Sequence, residues 1–192
     1  KDIPAPDLQT DEQVMAWMMD VYSMIEGYTT PSVVTGKPIE LGGSVGRAGA
    51  TGRGVAFVAA ETFKKLRLPI RGASVAIQGF GKVGSSAARF LHEMGFKIVG
   101  VTDLTGGLFD PHGIDIPALL RHVGGKGGLR SFQGPSVIEG VDEANRELFE
   151  LDVDLLVPAA LEVQIPAENA GQAKARVIFE GANGPTTSEA DE

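Results

Sequence analysis

Hydrophobic and polar positions follow two different periods along this chain, and each change of period marks a predicted element. Short apolar runs bounded by glycine or charge predict buried strands, whereas apolar residues three or four positions apart predict helices. Strands are predicted at 74–78, 97–102, 154–157 and 176–179, and helices at 54–65, 82–94, 116–122, 142–150 and 167–173. A further extended piece ends at Asp110. Strands that alternate with helices favour an α/β fold with a doubly wound, mostly parallel sheet.

The N-terminal part of the chain lacks this alternation. Residues 14–25 have helical spacing after Thr10-Asp-Glu-Gln13, a pattern typical of a capping box with Thr10 as the N-cap. Gly27 is the expected C-cap. Residues 28–54 are rich in Gly, Pro, Ser and Thr, and a loop of such length in a compact domain is usually functional. We therefore expect a hinge segment with a helix and a loop at 1–52, followed by a sheet domain at 53–192.

Composition narrows the classes of partner. The net charge of −8 makes nucleic acid and anionic membranes unexpected partners, and no apolar run is long enough to cross a bilayer. The sequence contains no cysteine, which excludes disulfides and thiolate metal sites and fits a reducing, cytoplasmic location. The three histidines have no spacing that suits a shared metal, so no metal is expected; they are His92, His112 and His122.

The most specific chemical signal is a G-x-G-x-x-G turn that follows a predicted strand and opens a predicted helix. Asp103 ends the next strand, 19 residues after the last glycine. This order is typical of a dinucleotide-binding unit, in which the three glycines allow a tight turn, the approach of a pyrophosphate and close helix packing. The alternative is a glycine turn without a ligand. The candidate cofactor contacts of this turn are Gln78, Gly79, Phe80, Gly81, Lys82, Val83 and Gly84.

Asp103 also bears on the kind of dinucleotide. A carboxylate accepts hydrogen bonds from ribose hydroxyls but repels a 2′-phosphate. Residues 104–108 supply no cation that could offset the repulsion. The sequence therefore favours NAD over NADP, although only slightly.

Beyond this motif, nearly the whole chain resembles the Glu/Leu/Phe/Val amino-acid dehydrogenases, and within that family the glutamate enzymes. The branched-chain and phenylalanine enzymes lack the Gly42-Gly-Ser-x-Gly-Arg47 pattern in this form. The family allows an acid at position 103 beside NADP, so both cofactors stay open. The matching segments, in family order, are Pro4–Asp7, Met15–Asp20, Thr35–Gly54, Gln78–Gly84, Val157–Leu161 and Glu180–Thr187.

The resemblance implies NAD(P)-dependent oxidative deamination of L-glutamate to 2-oxoglutarate and ammonia by a homo-oligomer, which the family suggests is a hexamer. Asp7 matches the aspartate that shuttles protons during catalysis. Thr51 matches the contact to the nicotinamide carboxamide, and Asn183 matches an asparagine near the nicotinamide ribose. Ala159 and Ala160 match small residues along the cofactor backbone.

The resemblance also implies that the family's substrate domain and its catalytic lysines precede Lys1, and that further sheet elements follow Glu192. We therefore expect a truncated sheet, in a fragment that binds cofactor and does not oxidise glutamate by itself. Two alternatives stay open. The chain could belong to a non-catalytic regulatory or assembly paralogue that keeps the nucleotide fold, or to another amino-acid dehydrogenase.

Overall fold

The chain divides after Ala50 into two units in the computed structural model, which describes residues 2–7 and 9–192. The first unit ends at Ala50, and the second runs from Thr51 to Glu192. Among the described residues, no helix is both long enough and apolar enough to cross a membrane.

Helix α1, Glu12–Glu26, dominates the first unit. Its N-cap is Asp11, whose carboxylate accepts a hydrogen bond from the Val14 N–H at 3.0 Å. The prediction that Thr10 caps this helix is therefore wrong. The hydroxyl of Thr10 instead accepts from the Asp7 N–H at 2.6 Å, so a longer acidic side chain one residue later takes the cap. Gly27 is confirmed as the C-cap, with φ of +79°.

The glycine-rich segment after α1 is folded into short turns. Single 3₁₀ turns form at Pro31–Val33, Ile39–Leu41 and Arg47–Gly49. Thr35 N–H donates to the Pro4 carbonyl at 2.9 Å. A Cβ on Gly36, where φ is +67°, would lie 2.6 Å from Pro6 Cγ. The residues just before Asp7 are thus packed and hydrogen-bonded against this segment.

The second unit is built on a six-stranded sheet with the order β4-β3-β2-β1-β5-β6. Strands β2, β1, β5 and β6 are parallel, whereas β3 and β4 pair antiparallel, so the predicted mostly parallel α/β sheet is confirmed. The strands are β1 Ser74–Gln78, β2 Lys97–Asp103, β3 Gly106–Phe109, β4 Ser136–Glu139, β5 Leu155–Pro158 and β6 Val177–Ile178. The helices are α2 Ala50–Lys65, α3 Lys82–Glu93, α4 Ile116–Gly124, α5 Val141–Glu150, α6 Ala167–Ala170 and α7 Ser188–Asp191.

Both faces of the sheet carry an apolar core, as a doubly wound sheet requires. Val75 and Ile77 of β1 join one buried cluster with Phe63 of α2 and Leu91 of α3. Ala76, which points to the opposite face, joins a second cluster that includes Leu148 and Phe149 of α5. Alternate residues of one strand therefore hold helices on both sides of the sheet.

A single carboxylate ties the amino-terminal ends of three parallel strands. Asp154, just before β5, accepts hydrogen bonds from Ser74 N at 2.9 Å and from Ser74 Oγ at 3.1 Å. Arg176, just before β6, donates to its other oxygen at 3.2 Å. Partial burial raises the pKa of the Asp154 carboxyl, but the bonds from Ser74 and Arg176 outweigh it and hold the pKa below the ordinary value of 3.8.

Replacing this carboxylate should destabilise the fold in a pH-dependent way. Because the pKa of Asp154 is lower in the folded chain, its contribution is present above the unfolded value of about 4 and is lost as pH falls through the folded value. We expect Asp154→Asn to lower the free energy of unfolding by about 1–2 kcal/mol at pH 7. Urea unfolding at several pH values measures this, with the exposed Asp152→Asn as the control. A difference that persists unchanged below pH 3 would contradict it.

Candidate dinucleotide-binding site

The carboxyl-terminal edge of the parallel strands gathers most of the residues singled out from the sequence. Strand β1 ends at Gln78 and lies between β2, which ends at Asp103, and β5, which ends at Pro158. The chain winds from β1 to β2 on one side and later returns to β5 on the other. In open α/β sheets, such a reversal point is where a crevice for ligands forms.

Gly79 makes the turn at the end of β1. Its φ is +87°, and a Cβ there would lie 3.0 Å from both the Ala159 carbonyl oxygen and Ala160 Cβ. The Ala159 N–H also donates to the Gln78 carbonyl at 2.8 Å. The candidate residues Ala159 and Ala160, which are far from Gly79 in sequence, are therefore in contact with the glycine turn.

Gly84 and Gly81 are required for different reasons. A Cβ on Gly84 would overlap the Gly79 carbonyl oxygen and lie 3.4 Å from Ile77 Cγ2, so helix α3 can pack this closely only without a side chain there. A Cβ on Gly81 would meet no described protein atom within 4 Å, and φ at Gly81 is an ordinary −79°. Neither the fold nor the backbone conformation needs glycine at position 81.

The space in front of Gly81 suits a phosphate group. Gly81 is the N-cap of α3 and provides no side-chain cap. The first N–H groups of a helix have no intrahelical partner, and the helix dipole adds partial positive charge at that end. An anion can approach the backbone closely here because no Cβ stands in its path. These features fit the pyrophosphate of a dinucleotide.

The side chains around the glycine turn differ in burial and in hydrogen bonding. Phe80 is 7% exposed and belongs to the apolar core, so only its backbone faces the turn. Val83 is half-buried, and Lys82 is exposed. Gln78 is buried to 1% exposure, and its Nε2 donates to Gln164 Oε1 at 2.7 Å. Sequence analysis missed Gln164, which carries no local signal because its partner lies 86 residues away.

The loop after β6 closes over the end of β5. The N–H groups of Gly181 and Ala182 both donate to the Pro158 carbonyl, at 2.8 and 3.0 Å. A Cβ on Gly181 would lie 3.1 Å from Ala159 Cβ and 3.3 Å from Val83 Cγ1. Asn183, which is exposed, follows two residues later and therefore lies on a loop attached to the same edge.

Asp103 has a local role that the sequence analysis did not include. Its Oδ1 accepts hydrogen bonds from the N–H of Thr105 at 2.7 Å and from the Thr105 hydroxyl at 2.6 Å. These bonds shape the turn between β2 and β3. Oδ2 accepts no hydrogen bond from the described residues, so this oxygen can accept one from another donor.

Thr51 and Asp7 lie in different units. Thr51 is exposed in the first turn of α2. The adjacent Gly52 packs on α3, because a Cβ there would lie 2.7 Å from both Ser86 Cβ and the Val83 carbonyl oxygen. Asp7 belongs to the first unit, where its backbone N–H and carbonyl are both bonded to Thr10. Within residues 2–7 and 9–192, no three His, Cys, Asp or Glu side chains are grouped to hold a metal.

The parallel sheet, its reversal at β1 and the glycine turn define a Rossmann-like α/β domain. Residues 42–192 match the sequence model of the Glutamate/Leucine/Phenylalanine/Valine dehydrogenase family, and the chain belongs to that family.

Relatives at about half identity are named glutamate dehydrogenases. A glutamate dehydrogenase of Thermotoga maritima is 50% identical over all of this chain and 45% of its own length. The cryptic catabolic NAD-specific glutamate dehydrogenase GudB of Bacillus subtilis is 48% identical over 98% of this chain and 43% of its own length. The hetero-hexameric glutamate dehydrogenase of Thermus thermophilus superposes with a TM-score of 0.88 at 38% identity, over 99% of this chain and 44% of that one. The chain thus spans less than half the length of these relatives.

The two glycines of the turn should separate binding from folding. Gly81→Ala should weaken dinucleotide binding at least about tenfold, because the new methyl group enters the path of the phosphates, and should cost less than about 1 kcal/mol of stability. Gly84→Ala should instead cost about 2–3 kcal/mol of stability through overpacking against the Gly79 carbonyl. Titration calorimetry and thermal unfolding measure the two effects. Unchanged affinity in a folded Gly81→Ala chain would contradict the phosphate assignment.

Proposed function

We propose that this chain is the cofactor-binding domain of a glutamate dehydrogenase that uses NAD in the oxidative deamination of L-glutamate to 2-oxoglutarate and ammonia. The observation that carries the proposal is the open space at Gly81, a glycine that neither packing nor backbone conformation requires. The family membership and the NAD-specific name of the Bacillus subtilis relative support the choice of reaction and cofactor.

The proposal gives each end of the site its own task. The N-terminus of α3 and Gly81 hold the pyrophosphate, and Asp103 holds the adenosine ribose through Oδ2. Ala159, Ala160, Asn183 and Thr51 serve the nicotinamide half. Bound NAD supplies the hydride acceptor, so the protein has to orient the amino acid, exclude water and move protons.

Binding and turnover test different parts of this proposal. Titration calorimetry of the chain with NAD tests the cofactor site, and no binding would refute it. A coupled absorbance assay with glutamate and NAD tests the intact protein of which this chain forms a part. Binding without any turnover there would favour the non-catalytic paralogue, whereas turnover of a different amino acid would favour another dehydrogenase of the family.

Within this function Asp7 is the proton-transferring acid or base. It is exposed, it follows Pro6, and its backbone is fixed by three hydrogen bonds with Thr10, so its position is restrained without burying the carboxylate. In the intact enzyme Asp7→Asn should lower kcat by about two to four orders of magnitude, the usual contribution of a positioned acid–base group. Dinucleotide affinity should hardly change. Asp2→Asn, at another exposed acid, is the control and should leave kcat unchanged. Near-normal turnover of Asp7→Asn would contradict the acid–base role of Asp7.

Asp103 should set the preference for NAD over NADP. Asp103→Asn keeps an oxygen for the turn with Thr105 but removes the negative charge and the second acceptor. It should weaken NAD binding by about 1.5–3 kcal/mol, the range for hydrogen bonds to charged groups, and relieve the repulsion of a 2′-phosphate. The measurement is the ratio of affinities for the two dinucleotides. Thr105→Val, which alters the turn and keeps the carboxylate, should leave the ratio unchanged, and a wild-type preference for NADP would contradict this role.

The proposal extends to assembly and location. The Thermus thermophilus relative is described as a hetero-hexamer, and we propose that the intact protein is likewise an oligomer, formed here from identical subunits. The absence of cysteine fits a cytoplasmic location. Light scattering of the intact protein measures the subunit number.

A further inference from the structure

We propose that Gln164 is a positioning residue that holds the Asn183 loop in place for the nicotinamide half of the cofactor. The inference rests on the proposed function, because it takes the glycine turn as the phosphate site. It concerns a residue outside the glycine motif, and its evidence is a set of hydrogen bonds that connects three separate segments of the second unit.

The first link joins Gln164 to the strand that carries the glycine turn. Gln78 Nε2 donates to Gln164 Oε1 at 2.7 Å, and Gln78 is 1% exposed. Gln78 Oε1 is buried and accepts no bond from the described residues. Among the described residues, Gln164 is therefore the hydrogen-bond partner of the Gln78 side chain. Losing this bond would leave a buried amide unpaired, which is costly.

The second link joins the neighbourhood of Gln164 to the Asn183 loop. The Gln164 N–H donates to the Pro185 carbonyl at 2.7 Å, and the Val163 N–H donates to the Gly184 carbonyl at 3.1 Å. Ile165 N–H also donates to the Pro185 carbonyl, at 2.8 Å. These acceptors directly follow Asn183 in sequence. A displacement of residues 163–165 would therefore displace the loop that bears Asn183.

The third observation is backbone strain beside Gln164. Val163 has a φ of +54°, although it is β-branched, and the residue is 57% exposed. This region is unfavourable for valine, and such strain persists only where the surroundings impose it. The surroundings here are the hydrogen bonds on both sides of Val163. Gln164 is additionally held through its carbonyl, which accepts from Asn169 Nδ2 at 3.0 Å.

Together these contacts give Gln164 a role limited to one half of the ligand. The phosphate turn has its own support in Gly79, Gly84 and the α3 N-terminus, and Asp103 is held by Thr105. Among the described residues, the loop after β6 accepts backbone hydrogen bonds from residues 163–165, whereas Gln78 contacts Gln164 through its side chain alone. Loss of the Gln164 side chain should therefore affect the nicotinamide half and spare the adenosine diphosphate half.

The experiment compares two ligands on the same chain by titration calorimetry, NADH and ADP. Gln164→Met removes, with little change of shape, both the acceptor for Gln78 and the Nε2 donor that bonds to the Glu162 carbonyl at 3.0 Å. It should raise the Kd for NADH about three- to tenfold, because the Asn183 loop is held less firmly, and change the Kd for ADP less than about twofold. Gln164→Glu keeps the acceptor oxygen for Gln78 and loses the donor to the Glu162 carbonyl, so it should retain more of the preference for NADH than Gln164→Met. Gln172→Met, an exposed glutamine on the same segment, should alter neither.

A second variant tests the strain. Asn adopts positive φ more readily than Val, so Val163→Asn combined with Gln164→Met should recover part of the lost NADH affinity. No recovery would contradict the role of Val163. Equal loss of NADH and ADP affinity in Gln164→Met, or loss of neither, would overturn the positioning role of Gln164 while leaving the proposed function intact. A wild-type chain that binds neither ligand would overturn the proposed function and this inference with it.

Discussion

The contact between the first turn of α3 and the carbonyl of Gly79 determines how the second unit is arranged. Any side chain at Gly84 would collide with that oxygen, so the helix lies directly on the turn that ends β1. This contact fixes where α3 begins and where its N-terminal N–H groups point. Gly79 itself packs closely against Ala159 and Ala160. Helix α3, the glycine turn and the segment after β5 thus meet at Gly79, and the candidate dinucleotide site is formed around this point.

The opposite edge of the sheet is stabilised by different chemistry. There, Asp154 connects the starts of β1, β5 and β6 through side-chain hydrogen bonds. At the carboxyl-terminal edge, the strands are joined through backbone hydrogen bonds, such as those from Ala159 N–H to the Gln78 carbonyl and from Gly181 N–H to the Pro158 carbonyl. This network of Asp154, Ser74 and Arg176 thus lies at the end of the sheet opposite the candidate dinucleotide site.

Local pattern predicted the elements that have a buried face and missed those that do not. The strands β1, β2 and β5 were predicted from their apolar runs, whereas β4 was not, because Ser136, Val137 and Glu139 are exposed and show no alternation. The cap of α1 was placed one residue early because Thr10 and Asp11 are both good caps. The roles of Gln164 and Thr105 were missed, since hydrogen bonds between side chains leave no periodic trace in a sequence. The glycine motif was found because its spacing is itself the signal.

The exposed strand β4 also determines how the sheet ends. An unpaired edge invites association with another sheet, and proteins limit this with short strands, proline and charge. Strand β4 has four residues, follows Pro135, and ends at Glu139, which pairs with Arg130 at 2.6 Å. The Gly140 that follows has a φ of +89°, which turns the chain out of the extended path. The antiparallel edge is thereby a poor template for aggregation, and unfolding of β4 would expose the buried strand β3 behind it.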